Sequence, residues 1–167
     1  MTAPMFALPD LCDAHGDELS VAQPIFRHFG GSTVFSGRVR TIACFEDNSL
    51  VADRVREPGE GCVLVVDGGA SLRCALVGDN LARIAVESGW SGIVVNGCVR
   101  DVEALATMPI GILALAPHPL RSVKRGVGRR DETVVMAGVS FAPEAWVYAD
   151  SNGLVVSLRA LPVGGLG

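Results

Sequence analysis

Three short apolar runs that alternate with helical segments constrain the fold of this chain more than any other feature. The runs extend from Cys62 to Val66 (CVLVV), from Gly92 to Val95 (GIVV) and from Ile110 to Leu115 (IGILAL). Continuous apolar runs of this length are typical of strands buried on both faces. Because residues 79–88 and 101–107 between them have helical patterns, the sequence predicts a βαβαβ unit with parallel strands.

The segments on either side of this unit predict further elements. Helical patterns occur over 10–19 and 46–56, and short β runs occur over 33–44, 132–141, 145–149 and 153–158. Gly37 is predicted to form a bulge in the first of these strands, and Asn152-Gly153 is a hairpin-turn signal. We therefore predict a single α/β domain over residues 1–167, in which a βαβαβ parallel core joins a β-rich layer.

Charge and hydropathy exclude several classes of function. The net charge of −4 argues against a nucleic-acid-binding protein. The single basic run is predicted to be a solvated loop, with a site for an acidic partner as the alternative; it comprises Arg121, Lys124, Arg125, Arg129 and Arg130. No stretch approaches 18 uncharged apolar residues, so we expect no membrane span. The N-terminus lacks a signal-peptide pattern, and five cysteines without a C-x-x-C motif indicate reduced thiols, so we expect a cytoplasmic protein.

Two loops and one helix start are the candidate sites, because ligands of parallel α/β units bind at the carboxyl ends of the strands. The loops are 66–71 and 96–101. The helix start is Gly78 to Leu81 (GDNL), where free N–H groups suit a carboxylate. Each charged residue also has a simpler explanation: Asp79 and Asp101 are placed as helix N-caps, and Arg100 as a surface ion-pair partner.

The spacing of these residues is more specific than any one of them. Asp79 is followed by twenty residues and then by Arg100-Asp101. Other distinctive runs are Leu11-Cys12-Asp13, Phe29-Gly30-Gly31, Cys44 to Asn48 (CFEDN), Val63 to Gly69 (VLVVDGG) and Tyr148-Ala149-Asp150. With these motifs the chain resembles, over nearly its whole length, the family of class II 4-hydroxy-4-methyl-2-oxoglutarate aldolases and the related regulator of ribonuclease activity A. The resemblance implies the RraA-like fold of the swivelling β/β/α type, assembled as a homotrimer or a dimer of trimers.

The resemblance also implies roles for individual residues. In the aldolases the Asp at position 101 holds a divalent metal, Mg²⁺ or Mn²⁺, and the Arg at position 100 contacts the substrate. The segment Gly78, Asp79, Asn80 and Leu81 supplies backbone contacts to the substrate. Regulators of this type lack the acidic residue after the Arg. Because Asp101 is present, we expect an enzyme that cleaves 4-hydroxy-4-methyl-2-oxoglutarate to two pyruvates and also decarboxylates oxaloacetate.

Elementary chemistry agrees with a metal route. The pyruvate enolate formed in this cleavage needs either a lysine Schiff base or a metal Lewis acid. Lys124 is the only lysine and lies in the polar 121–130 segment, a poor setting for a nucleophilic amine. One carboxylate is enough for Mg²⁺, whereas His15, His28 and His118 are too scattered to predict a Zn²⁺ site.

Three hypotheses about the function remain open, and the first is the metal-dependent lyase. Arg100 would stabilise the enolate, and Asp79 would hold a water that acts as the base, because an ordinary aspartate is a weak base at neutral pH. A non-enzymatic regulator that binds and inhibits a ribonuclease is the alternative function. A methyltransferase is disfavoured, since the chain has no glycine-rich cofactor loop.

Overall fold

The computed structural model describes residues 6–163. The helices are α1 (Leu8–His15), α2 (Ser49–Val55), α3 (Asp79–Glu87) and α4 (Val102–Leu105), with a 3-10 turn at Gly16–Glu18. The strands are β1 (Leu19–Val21), β2 (Arg27–His28), β3 (Phe35–Ala43), β4 (Val63–Asp67), β5 (Ala75–Val77), β6 (Gly92–Asn96), β7 (Cys98–Val99), β8 (Gly111–Ala114), β9 (Ala116–Pro117), β10 (Arg129–Arg130), β11 (Val134–Met136), β12 (Val139–Phe141), β13 (Trp146–Asp150) and β14 (Gly153–Ser157). Within these residues, no helix is long and apolar enough to cross a membrane.

A nine-stranded mixed sheet forms the centre of the molecule. Its order is β1-β14-β13-β3-β4-β6-β8-β2, and β10 pairs with the end of β3. Strands β4, β6 and β8 are parallel, which confirms the predicted βαβαβ core, and β3 adds a fourth parallel strand. The antiparallel strands β13, β14 and β1 continue the sheet on one side. The predicted α/β architecture with an attached β-rich layer is therefore confirmed.

The central strands are buried on both faces. Leu64 and Val66 of β4 belong to a core cluster shared with the helices, whereas Val63 and Val65 belong to a second cluster that includes Phe141 of β12. Each of these side chains is completely buried. Because neither face of β4 meets water, its sequence is continuously apolar rather than alternating.

A second, three-stranded sheet was not predicted. Strands β5, β7 and β9 are parallel, with Ala75 paired to Cys98 and Cys98 paired to Ala116. Strand β7 follows β6 after a single residue, and β9 follows β8 in the same way. These strands have only two or three residues, too few to produce a recognisable periodicity. The small sheet extends the chain beyond the carboxyl ends of β6 and β8.

Two local predictions were wrong. Gly37 is not a bulge, because it pairs in regular register with Val147 of β13. A Cβ atom at this position would overlap the carbonyl oxygen of Gly61, and this close backbone approach explains the glycine. The predicted β run over 132–141 is a hairpin, in which Ala137 and Gly138 adopt positive φ angles between β11 and β12.

All five cysteines are free thiols, as the sequence indicates. Cys44, Cys62, Cys74 and Cys98 are buried in the core. Burial raises the pKa of the Cys44 thiol to about 12. Because the thiolate is the reactive form, this cysteine has a structural role rather than a nucleophilic one.

Candidate active site

The small sheet brings the two predicted motifs into contact. The backbone N–H of Asp79, directly after Gly78 and β5, donates a hydrogen bond to Asp101 Oδ2 over 3.0 Å. The backbone N–H of Arg100 donates to the carbonyl oxygen of Val77 over 2.9 Å. These two bonds connect the ends of β5 and β7, so residues separated by more than twenty positions form one cluster.

Gly78 is packed tightly against the Arg-Asp pair. A Cβ atom on Gly78 would lie 2.6 Å from Asp101 Oδ2 and 3.3 Å from Arg100 Cγ. Its backbone is extended, with φ −129° and ψ −165°, a conformation open to any residue. The glycine is therefore explained by the close approach of the Arg100 and Asp101 side chains.

Asp101 is at a helix N-cap position, as predicted, whereas Asp79 is not. Asp79 is the first residue of α3, and Gly78 occupies the N-cap position. Asp101 occupies the N-cap position of α4, but its side chain makes no capping hydrogen bond. It also adopts the left-handed conformation, with φ 59° and ψ 43°. The predicted N-cap position of Asp101 is therefore correct, but its side chain accepts the N–H of Asp79, the first residue of α3, instead of capping α4.

A cavity of about 540 Å³ lies beside this cluster. All six residues of the predicted site line it, namely Gly78, Asp79, Asn80, Leu81, Arg100 and Asp101. One face of α2 and the residues directly before and after it supply another wall, with Asn48, Ser49, Ala52, Asp53 and Arg56. The 121–124 segment completes the lining with Arg121, Ser122 and Lys124, together with Ala75 and Leu76.

The cavity is rich in charge and positive on balance. Its cations are Arg56, Arg100, Arg121 and Lys124, and its carboxylates are Asp53, Asp79 and Asp101. Four cations against three carboxylates leave one net positive charge. A bound divalent cation would make this balance more positive, so the lining suits a ligand with more than one negative charge.

Lys124 and Asn48 belong to this cavity although the sequence did not place them there. Lys124 Nζ donates a hydrogen bond to Asn48 Oδ1 over 2.8 Å, and Asn48 Nδ2 donates to the carbonyl oxygen of Leu76 over 2.9 Å. Arg121 and Lys124 are exposed, as predicted for a solvated loop, and they also line the cavity, which was not predicted. The run CFEDN, which ends at Asn48, could have predicted that Asn48 lines the cavity, because polar residues after an apolar strand often line a site.

The last two residues of the basic run form ion pairs outside the cavity. Arg129 Nε lies 2.6 Å from Glu132 Oε2, and Arg130 Nη2 lies 2.8 Å from Glu57 Oε2. These contacts are ordinary ion pairs at the protein surface. The start of the 121–130 segment thus lines the cavity, whereas its end, Arg129 and Arg130, forms ion pairs outside it.

The other candidate loop, residues 66–71, does not line the cavity. Asp67 Oδ1 accepts hydrogen bonds from the backbone N–H of Gly69 and from Asn96 Nδ2, each over 3.0 Å. These bonds close a turn and tie it to the neighbouring strand. The three histidines are also absent from the cavity lining; His28 Nε2, for example, lies 2.7 Å from the carbonyl oxygen of Asp150.

The donor set of the cavity fits a hard divalent cation held by few protein ligands. Across residues 6–163, no cluster of three or more His, Cys, Asp or Glu side chains is placed to hold a metal. Asp101 uses one carboxylate oxygen for the Asp79 N–H, which leaves its second oxygen for a ligand. Asp79 and Asn80 add oxygen atoms to the same wall. Mg²⁺ and Mn²⁺ accept such sites, because water and substrate oxygens complete their coordination.

Comparison with curated proteins gives relatives over nearly the full length. A protein of Alkalilimnicola ehrlichii is 55% identical over 152 residues, which cover 91% of this chain and 94% of the relative. A protein of Pseudomonas aeruginosa is 53% identical over 156 residues, which cover 93% of this chain and 96% of the relative. Both are named "Putative 4-hydroxy-4-methyl-2-oxoglutarate aldolase".

Two solved structures share both fold and sequence. The RNA-processing inhibitor RraA from Thermus thermophilis is 46% identical with a TM-score of 0.90, over 97% of this chain and 96% of that one. An S-adenosylmethionine:2-dimethylmenaquinone methyltransferase from Geobacillus kaustophilus is 44% identical with a TM-score of 0.92, over 93% of this chain and 97% of that one. Residues 8–156 match the RraA-like family model, described as Aldolase/RraA. With this match and these relatives, the chain belongs to the RraA-like family.

Proposed function

We propose that this protein is a divalent-metal-dependent lyase that cleaves 4-hydroxy-4-methyl-2-oxoglutarate into two pyruvates and also decarboxylates oxaloacetate. The observation that carries this proposal is the Asp101 side chain. It makes no hydrogen bond to its own helix α4, lies against Arg100 and Gly78, and lines a cavity with four cations. The names of the two curated relatives described above support the cleavage reaction.

Arg100 binds the reacting end of the substrate. Its guanidinium group makes charge-assisted hydrogen bonds to the 2-oxo and carboxylate oxygens, and these bonds strengthen as negative charge develops on the enolate. The first N–H groups of α3 bind a carboxylate at the positive end of the helix dipole. Since Asp101 already occupies the N–H of Asp79, the N–H groups of Asn80 and Leu81 take this role.

The second carboxylate of the substrate binds to the other cations of the lining. Lys124, Arg121 and Arg56 are the cations available there. Asn48 orients Lys124 through the 2.8 Å hydrogen bond between their side chains. A substrate with two carboxylates therefore has a cationic partner for each end.

Asp101 would hold Mg²⁺ or Mn²⁺, which when bound supplies a Lewis acid for the 2-oxo group. Asp79 holds a water molecule, which takes the proton from the C4 hydroxyl group. The bond between C3 and C4 then breaks, leaving one pyruvate and one pyruvate enolate, and the enolate takes a proton at C3. Loss of CO₂ from oxaloacetate gives the same enolate, which is why both activities are expected from one site.

The direct test is pyruvate release from oxaloacetate. Purified protein is incubated with oxaloacetate and Mg²⁺ or Mn²⁺, with EDTA and protein-free reactions as controls. We expect pyruvate formation that depends on protein and is abolished by EDTA. Absence of metal-dependent pyruvate release above the protein-free reaction would falsify the enzymatic proposal.

Substitution of Asp101 tests the proposed metal ligand. Asp101→Ala should abolish turnover while leaving the circular dichroism spectrum unchanged; the melting temperature should fall, because alanine is disfavoured in the left-handed conformation and the hydrogen bond to Asp79 is lost. Asp17→Asn, in the exposed 3-10 turn, is the matched control and should keep full activity. An active Asp101→Ala variant would contradict the assignment.

A regulatory function is the second candidate, because the chain is 46% identical to a solved RNA-processing inhibitor. This function requires a protein surface rather than turnover. Inhibition of a ribonuclease at a stoichiometric ratio, equally strong in the wild type and in Asp101→Ala, would favour it over the lyase.

A further inference from the structure

Asp47 lies directly before two residues of the cavity wall, Asn48 and Ser49, but does not line the cavity itself. Its relative exposure is only 1%. Oδ1 accepts hydrogen bonds from the backbone N–H of Ser49 over 2.9 Å and from its hydroxyl group over 2.6 Å. Oδ2 accepts from the backbone N–H groups of Arg125 over 2.8 Å and Val127 over 3.2 Å. One buried carboxylate thus joins the start of α2 to the 123–127 loop.

Two further contacts hold the same loop. The hydroxyl oxygen of Ser49 accepts a hydrogen bond from the backbone N–H of Gly126 over 3.0 Å. On the other side of Lys124, Val123 forms an isolated parallel bridge with Asp47. Lys124 is therefore flanked in both chain directions by residues that are fixed to the segment before α2.

The ionisation of Asp47 matches this set of donors. Burial alone would raise the pKa of its carboxyl group, but the hydrogen bonds from Ser49, Arg125 and Val127 outweigh burial and hold the pKa well below its ordinary value. An ionised carboxylate only accepts hydrogen bonds, and all four groups that face it are donors.

We propose that Asp47 is a positioning residue that holds the 123–127 loop so that Lys124 reaches the cavity and binds the far carboxylate of the substrate. The substrate class in this inference rests on the proposed function, whereas the anchoring of the loop does not. Asp47 acts through the loop, because it has no contact with the cavity. An asparagine at this position has one acceptor oxygen and an NH₂ group that would face N–H donors, so part of the anchor is lost.

The test uses Asp47→Asn, Lys124→Ala and the double variant. The probe is 2-oxoglutarate with Mg²⁺; it lacks the 4-hydroxyl group and cannot undergo this cleavage. We expect Asp47→Asn to weaken 2-oxoglutarate binding in calorimetry by about tenfold, the loss of one hydrogen bond to a charged group. Amide hydrogen exchange of residues 123–127 should become faster. In the Lys124→Ala background the same substitution should change binding little, because both act through one side chain.

Asp150→Asn is the matched control. Asp150 is also buried and accepts hydrogen bonds from the backbone N–H groups of Leu8 and Asn152, both outside the cavity lining. Its substitution should lower the melting temperature without changing 2-oxoglutarate binding or exchange in the 123–127 loop. If Asp47→Asn does not fold, Ser49→Ala removes the contact with Gly126 and should accelerate exchange of the same loop.

Two results would overturn the inference. One is wild-type exchange of the 123–127 loop in the folded Asp47 or Ser49 variant. The other is an additive loss of binding in the double variant. If the wild-type protein neither binds 2-oxoglutarate nor releases pyruvate, the proposed function fails by itself, and loop exchange in Asp47→Asn against Asp150→Asn still decides whether Asp47 is the anchor.

Discussion

At the scale of single residues, the site depends on close contact more than on unusual chemistry. Gly78 leaves room for the side chains of Arg100 and Asp101. Asp101 contacts Gly78 from a left-handed backbone conformation. A left-handed aspartate costs about 1 kcal/mol or more, so the surrounding hydrogen bonds must fix it. These features make the geometry of the Arg-Asp pair sensitive to one added methyl group.

Gly78→Ala should therefore reduce activity without unfolding the protein. The backbone of Gly78 suits alanine, but the added Cβ atom would displace Asp101 Oδ2 and Arg100 Cγ. We expect kcat/KM for oxaloacetate to fall by about a hundredfold, as for other displacements near 1 Å. Gly16→Ala is the control, because a Cβ atom there would meet nothing within 4 Å. Equal activity of the two variants would contradict the tight packing of Gly78.

Asp47 should make stability depend on acid pH. Because its pKa is lowered in the folded protein, the stability that it contributes is complete above the unfolded carboxyl pKa of about 3.9 and is lost as the pH falls below that value. The difference in unfolding free energy between the wild type and Asp47→Asn should therefore be constant near neutrality and shrink below about pH 4. Urea unfolding from pH 3 to pH 7 measures this difference. A difference that increases as the pH falls would contradict a lowered pKa of Asp47 in the folded protein.

At the scale of elements, β3 connects the two halves of the architecture. It is antiparallel to β13 on one side and parallel to β4 on the other. Its first residue, Phe35, is buried, and its ring covers Gly92 of β6 and Gly111 of β8. The aromatic ring fills the space that two missing side chains leave, so the packing of three strands depends on two glycines.

Gly111→Ala should destabilise the sheet. The added Cβ atom would overlap the Phe35 ring, and a well-packed core accommodates added volume only by strain, at about 1–3 kcal/mol. Urea denaturation should show this loss in the free energy of unfolding, while Gly16→Ala remains close to the wild type. An unchanged midpoint would mean that Phe35 moves aside freely.

At the scale of the whole molecule, three exposed apolar side chains lie near the carboxyl ends of β3 and β4. Phe45 and Val127 line one shallow depression there, and Val123 bridges to Asp47 nearby. Each of the three is at least half exposed. Contiguous exposed apolar surface is typical of protein interfaces, and it agrees with the trimer implied by the resemblance described above.

We expect a homotrimer, or a dimer of trimers, in solution. Light scattering coupled to gel filtration should give three, or six, times the 17.4 kDa mass of the chain. Val127→Asp should reduce the mass, because the side chain is 60% exposed in the monomer and would carry a charge into the interface. Val135→Asp, 67% exposed on the β11–β12 hairpin, is the control and should leave the mass unchanged. A monomeric wild-type protein would contradict the expectation.

The sequence by itself determined the parallel core and the identity of the principal motif. Strands β4, β6 and β8 are buried on both faces, and this burial leaves a continuous apolar run that is visible without a structure. The turn after each strand places polar residues at one edge, and the spacing of Asp79 from Arg100-Asp101 is distinctive enough to indicate the family. Information of this kind is local, since it depends on residues that are close in the chain.

Only the tertiary structure decided how the cavity is completed. Lys124 and Asn48 are 76 positions apart, and no periodicity connects them. The strands β5, β7 and β9 are too short to be predicted, yet they bring Gly78 against Arg100. Asp101 has the sequence position of a helix cap, but its side chain bonds to the start of the other helix, α3, a contact that only the structure shows. Contacts between distant segments depend on how the sheets pack, and packing is a property of the whole fold rather than of any segment.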